Sequence, residues 1–211
     1  MEGEAELLSA WRRGDLQAGN ELFHRHYGAV RRFLANKVDN DLEDLLQRTF
    51  EICAKGKDGF EGRSSFRTYL LGIARNLVLQ HWEGRHRGRA HENIEEFAIH
   101  DLGAGPSTLL ARSEAHRRLL EALRRLPLKH QVVLELSFWE ELPGGELGEV
   151  LGVPEDTARS RLRRAKLQLT KQLNHLERSA SAMQSTSDDL EQWAASVRAQ
   201  LRAGSARALK P

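Results

Sequence analysis

A chain of 211 residues with 32 Lys and Arg against 30 Asp and Glu carries a formal charge of only +2, and that length admits one large or two small domains, each with its own core. The single cysteine, Cys53, excludes an internal disulfide framework and fits a reducing compartment. The acidic start, Met1-Glu-Gly-Glu-Ala-Glu6, is the wrong charge for a secretion signal, and no apolar run reaches the roughly eighteen residues of a membrane span, so a soluble cytoplasmic protein without membrane insertion is expected.

Strand signals are nearly absent, and Leu, Ala, Arg and Glu dominate, which predicts an all-α fold. The periodicity predicts a short helix over 4–13, with Leu7, Leu8 and Trp11 on one face, stopped at Gly14-Asp15. A longer helix over 18–38 follows, marked by Leu22, Phe23, Tyr27, Val30, Phe33 and Leu34. Asp41 is placed to cap the next helix, where Leu42, Leu45, Leu46, Phe50 and Cys53 keep helical spacing and make Cys53 a buried, inert thiol. The loop Lys55 to Ser65, with Gly56, Gly59 and Gly62, cannot continue that helix, and Ser64-Ser65 caps the next one. That helix, Phe66 to about Arg87, packs through Phe66, Tyr69, Leu70, Ile73, Ala74, Leu77 and Trp82 and offers Arg67, Arg75, Asn76 and Gln80 on its polar side.

Residues 90–112 read as a flexible linker with an acidic centre at Glu92, Glu95, Glu96 and Asp101, and Gly103, Gly105 and Pro106 deny it a helix. A second helical domain spans 113–175. Its first helix carries Leu119, Leu120, Leu123 and Leu126, and Pro127 separates it from a helix with Val132, Val133, Leu136 and Trp139 inward. The stretch from Leu147 to Leu167 then reads as a helix-turn-helix with its turn at Gly152. In the second of these helices Ala158, Leu162, Ala165 and Leu169 form one apolar stripe, with Asp156, Arg159, Ser160 and Arg163 opposite. From Glu155 to Lys171 six basic residues (Arg159, Arg161, Arg163, Arg164, Lys166, Lys171) face two acidic ones. Most charge runs are solvated faces, but the glycine turn and the apolar stripe favour DNA. Arg159, Ser160 and Arg163 are assigned to base edges in the major groove, and Arg161, Arg164 and Lys166 to phosphates. Gly145 and Gly148 lie inside the first reader helix, where each interior glycine costs roughly 0.5–1 kcal/mol against alanine, so alanine at either is expected to stabilise.

Two blocks carry a family resemblance. The run Asp41-Leu-Glu-Asp-Leu-Leu-Gln-Arg-Thr-Phe50 followed by Phe60-Glu-Gly-Arg-Ser-Ser-Phe-Arg-Thr-Tyr-Leu-Leu-Gly-Ile-Ala-Arg-Asn-Leu77 resembles the second conserved region of bacterial sigma factors of the extracytoplasmic-function group, and Pro143 to Lys171 resembles their fourth. The resemblance implies an alternative sigma factor: residues 1–89 dock on core RNA polymerase and bind and melt the minus-ten element, and residues 113–175 read the minus-thirty-five element. It implies that the helix from Asp41 docks on the clamp helices of the β′ subunit through Asp41, Glu43, Asp44 and Gln47, an acidic and polar face; the chain departs from the family at Arg48, where an acid is common. It also implies that Asn76 contacts an unpaired base, with Arg67, Arg75 and the loop from Phe60 to Ser65, including Ser64, around it, that the linker threads the polymerase active cleft between the two DNA-binding domains, and that the partner is core polymerase with its β′ and β subunits. Promoter DNA, as duplex and as melted strand, and an anti-sigma protein are the other implied partners.

Beyond His175 lie a serine-rich tether and an amphipathic helix over 188–201, with Leu190, Trp193, Ala194, Val197 and Leu201 in register. No phosphate loop, metalloprotease motif or nucleophile elbow occurs, and His24 and His26 diverge on their helix, so no catalysis, metal or cofactor is expected. The alternatives are a stand-alone helix-turn-helix regulator and a degenerate sigma-like module that sequesters an anti-sigma partner.

Overall fold

The computed structural model describes residues 2–38, 40–85, 93–98 and 114–178. Among these, α1 (Glu2–Arg12), α2 (Leu16–Ala35), α3 (Leu42–Gly56) and α4 (Phe66–Arg85) form one half of the molecule, and α5 (Glu114–Arg124), α6 (Leu128–Phe138), α7 (Gly144–Leu151) and α8 (Glu155–Arg178) form the other. The all-α expectation holds. The amphipathic helix expected over 188–201, the basic residues after Arg85 and most of the linker lie outside the described residues.

In the first half, α2 begins two residues earlier than its apolar spacing suggests because Asp15 accepts hydrogen bonds from the amides of Gln17 (2.9 Å) and Ala18 (3.2 Å). Trp11 lies flat against α2 at Gly19, where an added Cβ would sit 2.4 Å from the indole nitrogen; only glycine admits the ring. The indole meets Phe23 and Phe66 edge-on, at 5.1 and 6.4 Å, and Phe66 in turn meets Phe60 at 5.8 Å. At the end of α1, Arg12 donates to the carbonyls of Lys57 (3.1 and 3.0 Å) and Phe60, so the glycine-rich loop is tied down rather than loose. Ser65 caps α4 as expected, accepting from the Thr68 amide at 3.1 Å.

Asp41 corrects the reading. It stands before α3, but its carboxylate makes no cap bond. It turns instead to the end of α4, accepting from Arg85 at 3.2 Å with His81 at 3.8 Å. A guanidinium is a stronger partner for a carboxylate than a neutral amide.

In the second half, Leu119, Leu123, Val133, Leu136, Leu147, Leu151, Ala158, Ala165 and Leu169 are all buried. Gly152 adopts the left-handed conformation (φ 66°) that closes α7, and the Val153 amide donates to the Gly148 carbonyl at 3.0 Å. Gly148 corrects the second expectation. A Cβ there would lie 2.8 Å from the Val153 carbonyl oxygen and 3.3 Å from the Glu155 amide, both immovable backbone, so this glycine permits the tight reader turn and alanine destabilises it. Gly145 has only a carboxylate oxygen of Glu155 at 3.9 Å, and the original expectation stands there.

The two halves pack against each other, α4 on α7. At the centre, Lys37 is fully buried, donating to the Phe33 carbonyl (2.7 Å) and pairing with Glu135 of α6, which also accepts from Asn36 and Gln131 at 2.9 Å each. Residues 93–98, expected to be free linker, are anchored: Ile94 and Ala98 are buried, the Leu128 amide donates to the Phe97 carbonyl at 2.8 Å, and Glu96 pairs with Lys129. The apolar side chains of Ile94 and Ala98 outweigh the acidic charges that suggested a solvated tether.

Candidate nucleic-acid and polymerase interface

On α8 the apolar stripe faces inward, with Ala158 and Ala165 at zero exposure. Arg159, Arg163 and Arg164 project into solvent, and Ser160 is half-buried with its hydroxyl on the Thr157 carbonyl at 3.0 Å. Arg159 is held by Glu155, one turn earlier, and lies 4.0 Å from Asp156; acids in the first turn of a helix are favoured by its dipole, and here they also aim the first arginine. Two residues assigned to phosphate stand differently. Arg161 is half-buried, with one guanidinium nitrogen packed out of solvent, and Lys166 lies 4.9 Å over the Phe138 ring. Leu167, which the apolar stripe does not include, is 61% exposed on the same side as Ser160 and Arg163. A leucine left in water within a basic face was detectable only as an apolar residue out of register.

On α4, Asn76 is exposed and accepts from Arg75 at 3.2 Å. Tyr69 lies two turns before Asn76 on the same side and stacks on Phe60, ring centroids 4.9 Å apart. Phe60 is therefore buried, a wall rather than an exposed platform. With Gly59, Glu61, Arg63, Ser64 and Tyr69 it lines a groove of about 410 Å³, and Glu149 of α7 contributes to the rim. Arg63 belongs to the loop expected around the base, whereas Tyr69 was read as a packing residue, yet it is only half-buried.

The other residues of this face are already engaged. Arg67 donates to the Glu140 carbonyl and approaches its carboxylate at 3.7 Å. Ser65 donates to Glu146 at 2.9 Å, Thr68 donates to the same oxygen, and Arg75 pairs with Glu95. Burial pushes the Glu140 carboxyl above its ordinary range, against the pull of Arg32 and Arg67.

On α3, Glu43, Asp44 and Gln47 are exposed, while Asp41 is half-buried in its bond to Arg85. Gln47 donates to Glu51 at 2.7 Å, and Arg48, the departure from the family pattern, lies 3.9 Å from Asp44. Beside this polar row Tyr27 stacks on Phe50 and is 41% exposed, an apolar surface next to the acidic one; Ile52, also 41% exposed, lies on the other flank of α3. The charge pattern alone did not reveal it.

A two-part helical protein with a basic helix-turn-helix in one half and an aromatic groove with polar rim in the other defines a class of DNA-binding transcription protein. The sigma-70 region 2 model matches residues 22–88 and the sigma-70 region 4 model matches residues 116–169. The chain is 35% identical over 152 residues to the RNA polymerase sigma factor HrpL of Pseudomonas syringae pv. syringae, covering 69% of this chain and 81% of that one. It is 30% identical over 175 residues to the sigma factor CarQ of Myxococcus xanthus, covering 81% and 97%, and 28% identical over 169 residues to the extracytoplasmic-function sigma-E factor of Haemophilus influenzae, covering 76% and 89%. The fold is shared with sigma factor RpoE of Bartonella quintana, solved with the anti-sigma factor NepR (TM-score 0.58, 21% identity, 74% of this chain and 96% of that one). It is also shared with CnrH, solved with the cytosolic domain of CnrY (TM-score 0.60, 19% identity, 82% and 98%). The chain belongs to the sigma-70 family, in its extracytoplasmic-function group. It is an alternative sigma factor that binds core RNA polymerase and promoter DNA and directs transcription initiation. Among the described residues no helix is long and apolar enough to cross a membrane.

Proposed function

We propose that the two halves divide promoter recognition between them: α8 reads duplex DNA at the minus-thirty-five element, and α4 with its preceding loop holds the parted strand at the minus-ten element. The observation that carries this division is the difference between the two surfaces. One is a convex helix face of exposed arginines, suited to a major groove. The other is a concave groove walled by Phe60 and Tyr69, suited to a base removed from its stack. Arg159, Ser160 and Arg163 take base edges, and Arg164 takes phosphate with Arg161 and Lys166 at the flank. Asn76 bonds the edge of the unpaired base, with Ser64, Ser65, Arg67 and Arg75 around it. Glu43, Asp44 and Gln47, with the apolar Tyr27 beside them, meet the polymerase clamp. Asp41 acts from behind, by fixing the end of α4.

In this reading the chain performs no chemistry itself, works in the cytoplasm beside the polymerase, and has an anti-sigma protein as a further partner; a fold neighbour solved with the anti-sigma factor NepR supports that partner. Run-off transcription with core polymerase on genomic fragments of the source bacterium tests it. Transcripts that depend on the added chain are expected. Duplex binding without any effect on transcription would favour a stand-alone regulator.

A further inference from the structure

We propose that Glu155 is a positioning residue for promoter reading: seated in a notch that Gly144 leaves open, it holds Arg159 toward one base pair of the minus-thirty-five element and away from phosphate. The inference rests on the assignment of α8 to that element and says how one of its arginines is made selective.

The notch follows from the residues that open α7. Pro143 at the N-cap supplies no side-chain cap, and Gly144 and Gly145 follow it. A Cβ at Gly144 would lie 2.5 Å from Oε1 of Glu155 and 3.1 and 3.2 Å from its Cδ and Cγ, so the carboxylate stands in space that any other residue would fill. A Cβ at Gly145 would meet only Oε2 of the same carboxylate, at 3.9 Å, an ordinary contact. The first turn of α7 favours a negative charge beside it, as does the first turn of α8, which Glu155 itself begins. The carboxylate is therefore seated between two helix starts rather than free to swing.

The same Oε1 accepts from Nη2 of Arg159 one turn later, and Asp156 lies 4.0 Å from Nη1. With side chains 66% and 44% exposed, the Arg159–Glu155 pair adds little to stability. Its effect is on direction. A guanidinium carries five N–H donors and Glu155 takes one, so the others remain for the two acceptors of a guanine. An arginine with no such tether pairs readily with the nearest phosphate, which carries no sequence information. Two carboxylates beside it repel phosphate and leave the base edge as the better partner. Holding the long side chain in advance also lowers the entropy lost when it binds.

The test uses holoenzyme assembled from core polymerase and the full chain, transcribing a promoter found in the run-off assay and variants of it with each base pair at each position of the minus-thirty-five element. Arg159→Ala identifies the position that Arg159 reads, as the one where the wild-type preference, about tenfold for a bidentate arginine–guanine contact, is lost. At that position Glu155→Ala and Gly144→Ala are each expected to cut the preference at least about threefold, with other positions unchanged, while Gly145→Ala keeps the wild-type preference. Gly144→Ala displaces only the end of a flexible side chain, so its Tm should be no lower than that of wild type. A merely structural Glu155 would change Tm and leave the preference intact. Preference retained by either Glu155→Ala or Gly144→Ala, a lower Tm in Gly144→Ala, or an equal loss in Gly145→Ala would overturn the inference. If Arg159→Ala alters the preference at no position, the assignment of Arg159 to a base edge falls, and the inference with it.

Discussion

In the proposed division of promoter recognition, Asn76 is the side chain on which strand recognition turns. Exposed and steadied by Arg75, it adds nothing to the core, so Asn76→Ala is expected to leave the melting temperature unchanged. Losing one amide from a base edge costs about 1–3 kcal/mol of discrimination, so promoter opening, read by permanganate reactivity of unpaired thymines, should fall roughly tenfold while duplex binding by α8 persists. Cys53 makes the opposite case. Its position on the apolar face of α3 was evident from spacing alone, and with a thiol pushed to about 12 it is expected to resist iodoacetamide in the folded chain at about pH 8 and to react on unfolding. What spacing could not give was the fate of Asp41, because its partners His81 and Arg85 lie a whole helix away.

At the scale of the helices, the reader turn separates two glycines that look alike in the sequence. Gly145→Ala should raise stability by about 0.5–1 kcal/mol, since the new methyl meets little and the unfolded chain loses freedom. Gly148→Ala should lower it, because the methyl meets the backbone of Val153 and Glu155. Thermal melts of the two variants, with Tm moving in opposite directions, check the pair. Helix positions, the Gly152 turn and the apolar stripe of α8 were all legible from periodicity and turn residues. The anchoring of 93–98 was not: Ile94 and Ala98 carry no repeat, and the pockets they enter are built by residues distant in the chain.

For the whole molecule, the central ion pair and the buried imidazoles set the response to substitution and pH. Glu135→Leu strands a fully buried ammonium with the carbonyl and the ring of Phe33 but no anion bonded to it, and is expected to cost about 3–5 kcal/mol. Lys37→Met costs less, because Glu135 keeps Asn36 and Gln131 as donors. The double variant should regain most of the loss in urea titrations. His26, His81 and His130 are each pulled below the ordinary 6.5, first of all by burial. A depressed folded value contributes stability that is present above 6.5 and lost as pH falls through it, so Tm should be lower at about pH 5.5 than at about pH 7.5. The helical content of the two halves was readable from the sequence, but their mutual packing was not. Lys37, Glu135 and Glu140 look like solvated charges until the fold brings them together.

The predominance of lysine, arginine and glutamate among the bridges between the halves has a bearing on the chain before it meets polymerase. When the faces come apart, those groups hydrate individually, which offsets part of the attraction that is lost. Parting therefore costs less than the number of bridges suggests.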